Sequence, residues 1–224
     1  MSPILFSVYI NDIVNNRNCF RIVIYADDIL LISHSVFELQ QLYNSCETEL
    51  LYQDMVINAK KSCCIRIGPR HKFECASIIT KTGHPIPWVE KNKYLGVTFT
   101  SSYSFKCSFD DLKKKYFRSV NAIFSIVGRS ASEEVVLHLV YSKCIPILLY
   151  ASEVCPITKS DLKSLDFSVN RFLFKLFKTN NIETVKECRS FFNFQTPSEI
   201  IPKRVKKFDD KINIMSNMLL TTSF

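Results

Sequence analysis

Asp27 and Asp28 stand side by side between two apolar runs, Ile22-Val23-Ile24 and Ile29-Leu30-Leu31-Ile32. Short branched runs around a polar break read as a β-hairpin, with the two carboxylates at its tip. Like charges about 4 Å apart repel by roughly 1 kcal/mol even in water, and by more in a drier site. No Lys or Arg adjoins the pair. A hard divalent cation with oxygen ligands would supply the missing charge. The competing reading is a solvated turn, since Asp is a common turn former.

Other charged groups have a helical or turn setting. Lys60-Lys61 sits in a basic turn between Val56-Ile57 and Cys63–Ile67, both read as strands. Lys113, Lys114 and Arg118 crowd one helix face, and Arg171, Lys175 and Lys178 crowd another. Such groups meet nucleic-acid phosphates or are simply solvated. His34, His71, His84 and His138 are scattered without ligand spacing, and none is read as catalytic.

The elements that must position these groups are legible by period and punctuation. Pro3 with Leu5, Phe6, Tyr9, Ile10 and Ile13 predicts a helix over 3–14. The hairpin follows over about 20–33. Ser35 and Glu38 then open a helix running to about Asp54. Ile78-Ile79 predicts a short strand, and Lys93–Thr98 another, broken at Gly96. Leu112, Tyr116, Val120 and Ile123 form an apolar stripe, with Ser108 as its N-cap and Gly128 as its stop. Ser132 opens a second helix that Pro146 should kink or break. A third stripe covers Leu162–Phe177, and Thr196-Pro197-Ser198-Glu199 caps a last helix. The expected class is α+β: mixed elements over 1–100, then helices over 101–224.

Composition agrees with a folded chain that has a polyanionic partner. The 224 residues are 47% hydrophobic and carry a net charge of +8. That charge is uneven, about +1 over 1–100 and +7 over 101–224. A basic second half favours nucleic acid over a membrane. Nine Cys residues contain no Cys-x-x-Cys pair, so the usual zinc spacing is absent. They read as small buried hydrophobes in a reducing, intracellular setting, with cytoplasm and nucleus not distinguished. Ser2–Phe6 lacks the basic leader of a signal peptide, and no run reaches transmembrane length without a charge.

Five segments in order resemble the reverse transcriptase of non-LTR (LINE-type) retrotransposons. They are Ser2-Pro3-x-Leu5-Phe6-x-x-Tyr9-x-Asn11-Asp12, Tyr25-Ala26-Asp27-Asp28, Asn58-Ala59-Lys60-Lys61-Ser62, Tyr94-Leu95-Gly96-Val97 and Leu148-Leu149-Tyr150-Ala151-Ser152-Glu153. The last is imperfect: the family usually has Gly where Ala151 stands and Trp where Cys155 stands. The resemblance covers about residues 1–178. It implies a partial palm over 1–100, and a thumb-like helical bundle with a connection region over 101–224.

On that resemblance the function is RNA-directed DNA synthesis on an RNA template and DNA primer. Asp27 and Asp28 would bind Mg²⁺, Asp27 as the closer ligand, and Lys61 would assist the departing pyrophosphate. Tyr25, Ala26, Tyr94, Leu95 and Gly96 would lie at the primer end or nucleotide. Lys113, Lys114, Arg118, Arg171 and Lys175 would hold the hybrid backbone. The family's two-metal site takes a further carboxylate from an Asp on a strand before the Ser-Pro helix, and this sequence shows no such strand ahead of Ser2-Pro3. The expectation is therefore a polymerase segment inactive alone. The alternatives are a non-catalytic nucleic-acid-binding remnant and a relic without activity.

Overall fold

A computed structural model describes residues 22–127 and 130–221, with 217–221 described by backbone alone. The helix expected over 3–14 and its Ser2–Asp12 motif lie outside the described residues, as does the Gly128 stop. The rest forms two compact units. One holds residues up to Asn92 together with Ser101–Ser104, and the other holds Lys93–Thr100 and the chain from Phe105 onward.

In the first unit, strands β1 (Ile22–Tyr25) and β2 (Asp28–Leu31) form a two-stranded antiparallel ribbon. Helix α1 (Val36–Tyr52) follows, started by Ser35, whose Oγ accepts the Glu38 N–H at 3.1 Å. Ile22, Ile24 and Ile29 of the ribbon pack on Cys46 and Leu50 of α1. Strands β3 (Ile78–Ile79) and β4 (Pro85–Ile86) pair antiparallel beside α1. Gln40 pins them there: its Oε1 accepts the Ile79 N–H and its Nε2 donates to the Ile79 carbonyl, both at 2.8 Å. Glu47 accepts the Lys81 N–H at 3.0 Å.

The two strands expected at Val56-Ile57 and Cys63–Ile67 do not form. Cys64 and Ile67 make only isolated bridges, to Trp88 and Ser102. Cys64 bonds through the Pro87 carbonyl and the Val89 N–H, both at 2.8 Å. Pro87 has no N–H to extend that ladder, and Gly68-Pro69 ends the segment.

The second unit begins with a sheet ordered β5 (Lys91–Tyr94, which starts in the first unit), β6 (Val97–Thr100) and β7 (Cys107–Ser108). Where a single broken strand over 93–98 was expected, the chain makes a hairpin. Leu95 and Gly96 have φ of 47° and 83°, the sign combination of a type I′ turn. Ser108 ends β7 rather than capping the next helix, although its Oγ accepts the Asp110 N–H at 3.4 Å.

Helices then dominate: α2 (Asp110–Val127), α3 (Glu133–Leu139), α4 (Ile145–Leu148), α5 (Lys159–Leu176), α6 (Ile182–Phe191) and α7 (Pro197–Thr221). Tyr116, Val140, Leu148, Val169 and Leu173 are fully enclosed at their common core. Pro146 cannot donate to the preceding turn and crowds its carbonyl, and a π-helical turn over Val140–Cys144 absorbs the misfit between α3 and α4. Thr158 and Asp161 form a complete capping box on α5, and the Glu199 carboxylate accepts the Thr196 N–H at 2.7 Å at the start of α7. Mixed helices and small antiparallel sheets make the fold α+β.

Burial raises several thiols and a phenol above their ordinary values. It pushes Cys46 and Cys64 up to about 11, and Cys155, which also shares a hydrogen bond with Cys107, up to about 12. Tyr43 rises to about 12 for the same reason, with the Glu47 charge adding to it. Free thiols of the unfolded chain ionise near 9, so these groups favour the fold fully below that pH and progressively less above it. Urea midpoints are therefore expected to hold steady from pH 7 to 8.5 and to fall between pH 9 and 12. At Ala151 the backbone is left-handed, with φ of 56°. A side chain there costs about 1 kcal/mol that Gly avoids. Ala151→Gly is expected to raise the melting temperature by about 2–4 °C in calorimetry.

Candidate functional site

The ribbon sets the two carboxylates apart in role. Tyr25 pairs with Asp28, Val23 with Leu30, Ile24 with Ile29 and Ile22 with Leu31. Cross-strand partners share a face, so Ile22, Ile24, Ile29 and Leu31 lie on the packed side. Val23, Tyr25, Asp28 and Leu30 lie on the other, where Tyr25 is 61% exposed. Asp27 sits in the two-residue turn with Ala26, and both carboxylates are exposed. Ala26 has φ of 50°, a strained value for a residue with a side chain. Neither carboxylate has an ion-pair partner among the described residues. Adjacent hard oxygen donors at a rigid tip suit Mg²⁺. Among the described residues no group of three Asp, Glu, His or Cys could enclose a metal, so a metal at this pair would need further oxygen ligands.

Lys61 is exposed on a short turn built by Asn58. The Asn58 Oδ1 accepts the N–H of Lys60 at 3.1 Å and of Lys61 at 3.2 Å, and its carbonyl accepts from Ser62 Oγ at 3.0 Å. The Asn-x-x-Lys-Ser spacing is thus a turn that caps itself and presents two ammonium groups outward. Asp27, Asp28, Tyr25, Ala26 and Lys61 all belong to the first unit.

Tyr94, Leu95 and Gly96 belong to the second unit, as do the basic residues. Tyr94 ends β5, and Leu95 and Gly96 are the turn. Tyr150 meets this turn, a contact between two motifs 55 residues apart that no local pattern announces.

Helices α2 and α5 bring the two basic groups to one seam. Lys113 bridges Asp110 at 2.9 Å and donates to Ser164 Oγ of α5 at 3.1 Å. The Arg171 guanidinium lies 5.6 Å over the Phe117 ring, and the Lys175 ammonium 4.7 Å over the Phe124 ring. Arg171 and Lys175 remain exposed while their charged heads lie over α2 aromatics. Lys114 is largely exposed, 3.9 Å from Asp111, and Arg118 is exposed. The expected outward pairing of Lys113 with Lys114 and Arg118 is thus divided: Lys113 is tied inward, and the other two face solvent. No helix among the described residues is long and apolar enough to cross a membrane.

Residues 1–99 match the family model of reverse transcriptase (RNA-dependent DNA polymerase). No curated protein and no solved structure matches the chain. The matched stretch contains the carboxylate hairpin, the Asn58 turn and the Leu95-Gly96 turn, so this chain carries a reverse-transcriptase-related segment. Beyond residue 99 the basic seam rests on its own geometry.

Asn58→Ala removes one of the two Asn58 oxygens that close the Lys61 turn, the backbone carbonyl still accepting from the Lys61 and Ser62 N–H groups at 3.0 Å. The expected cost is about 1 kcal/mol, read as a lower urea midpoint, with faster amide exchange at Lys60 and Lys61.

Proposed function

We propose that this chain is the latter part of the polymerase domain of a non-LTR retrotransposon reverse transcriptase, a palm segment followed by a thumb-like bundle. The observation that carries the reading is the β1–β2 hairpin. It exposes two adjacent carboxylates at a two-residue turn, inside the stretch that matches the family. Asp27 and Asp28 are the residues that would hold Mg²⁺, and the metal supplies charge to the oxygens of a phosphoryl displacement. Tyr25 flanks Asp28 on the open face and offers a ring to the primer end or nucleotide, and Ala26 keeps the turn tight. Lys61 offers a mobile positive charge near departing phosphate. The five ordered motifs support the non-LTR assignment.

The partner in this reading is an RNA–DNA hybrid. Lys114, Arg118, Arg171 and Lys175 lie at or beside one helical seam and would meet its phosphates, while the Leu95-Gly96 turn meets the primer strand. The free thiols support an intracellular setting.

Residues 1–224 alone are proposed not to extend a primer. Two-metal phosphoryl transfer needs a bridging carboxylate beyond the hairpin pair, and the segment before the ribbon offers Asp12 as its one acid. The helical seam favours a second reading, a module that binds hybrids without catalysis. Both are tested on one preparation. Purified chain with Mg²⁺, primed RNA and nucleotides is expected to give no extension, and extension that vanishes in Asp27→Asn would sink the inactivity. Hybrid binding is expected to weaken steeply with salt. Lys114→Ala and Arg118→Ala should each lower the slope of log affinity against log salt by about 1. Mg²⁺-dependent placement of the primer end, lost in Asp27→Asn, separates the polymerase reading from simple binding. A salt-insensitive affinity would remove the nucleic-acid partner.

A further inference from the structure

We propose that Tyr150 is a positioning residue for the primer strand, fixing the direction of the Leu95-Gly96 turn from beneath. The proposal rests on the reading above, in which this turn meets the primer. Its geometry lies wholly within the second unit. The Tyr150 hydroxyl donates to the Leu95 carbonyl at 3.0 Å. A Cβ added to Gly96 would stand 3.0 Å from Tyr150 Cε1 and 3.5 Å from Cζ and Oη. Gly96 is therefore favoured twice: for its φ of 83°, and because an added Cβ would crowd the ring, so that the ring or the turn must give by a few tenths of an ångström.

The backbone that carries the ring is buried, while Tyr150 itself is 48% exposed. Tyr150 follows Leu148 and Leu149, which are 0% and 1% exposed, and precedes the left-handed Ala151. Ser152, fully buried, returns its Oγ to the Leu149 carbonyl at 2.9 Å. A tyrosine anchored on both sides in the helical core thus reaches out to a single carbonyl at the tip of a hairpin.

A type I′ turn closes on its own backbone and needs no outside donor to form. What the hydroxyl adds is orientation. It ties the tip of β5–β6 to the same unit that carries the α2–α5 cations, so that the turn and the backbone-binding residues approach a strand in fixed relation. Leu95, 41% exposed, is left on the outer side of the turn, free to touch a ligand.

The test compares two RNA–DNA hybrids of equal length, one with a recessed DNA 3′ end and one blunt, by fluorescence anisotropy with the full chain. Wild type is expected to prefer the recessed end. Tyr150→Phe removes one hydroxyl and keeps the ring. It is expected to lose about fivefold of that preference, the worth of one ordinary hydrogen bond. Its affinity for the blunt hybrid and its salt slope should not change, and its melting temperature should fall by no more than about 2–4 °C, the worth of that one bond in the fold. Gly96→Ala, which pushes the turn off the ring, should lose at least as much. Equal weakening toward both hybrids would make Tyr150 merely structural and overturn the proposal. A wild-type preference that Tyr150→Phe retains would also overturn it while leaving the primer reading intact. Absence of any preference in wild type would overturn the primer reading itself, and this proposal with it.

Discussion

A two-stranded ribbon is marginal in water by itself. The position of Asp27 and Asp28 therefore depends on burying one face of β1–β2 against α1. Ile22, Ile24 and Ile29 on Cys46 and Leu50 supply that burial, and Leu31 joins Tyr43, Ile78 and Ile86. A slip of one residue would turn the branched side chains to solvent and carry Asp28 to the packed side. Such a slip of β2 would bury a charge and expose Ile29 and Leu31, so the register is held from both directions. The chemistry of the tip is thus guarded by aliphatic packing several residues away.

The second unit repeats the device with a different support. Its β5–β6 hairpin also turns in two residues, but a tyrosine hydroxyl and ring hold the tip. Ala26 and Leu95 at the two hairpin tips, and Ala151 after Tyr150, each carry a side chain at positive φ. Each of these costs on the order of 1 kcal/mol, which the surrounding packing must offset. Glycine where Ala151 stands, as the resemblance implies for the family, is the residue such a backbone favours.

The ribbon, α1, α2 and α5 were legible because their apolar periods are strong and their start signals local. Ile22–Ile32 and the Leu112–Tyr116–Val120 stripe are examples. What the sequence hid depends on partners distant in the chain. Cys63–Ile67 has strand composition, yet its neighbour is Pro87, which cannot extend a ladder. Lys93–Thr98 reads as one strand broken at Gly96, because Leu95 carries no turn signal and a lone Gly does not reveal that two residues reverse the chain. Helix α6 was seen only as general helical patterning, and its single fully buried residue, Val185, explains how faint its stripe is.

Charge was the most ambiguous signal, since a lysine row on a helix looks alike whether it binds a polyanion or rests in water. Geometry divides the row by what each side chain already does. Lys113 bonds to Asp110 and Ser164 and contributes to joining α2 with α5. Arg171 and Lys175 set their cationic heads over the Phe117 and Phe124 rings and remain exposed. Cations fixed over rings lose less freedom on meeting a phosphate than cations on free stems, because part of their ordering has been met in the fold. The seam is therefore better prepared for a polyanion than its formal charge suggests, and its preparation comes from aromatic residues that a charge count never registers.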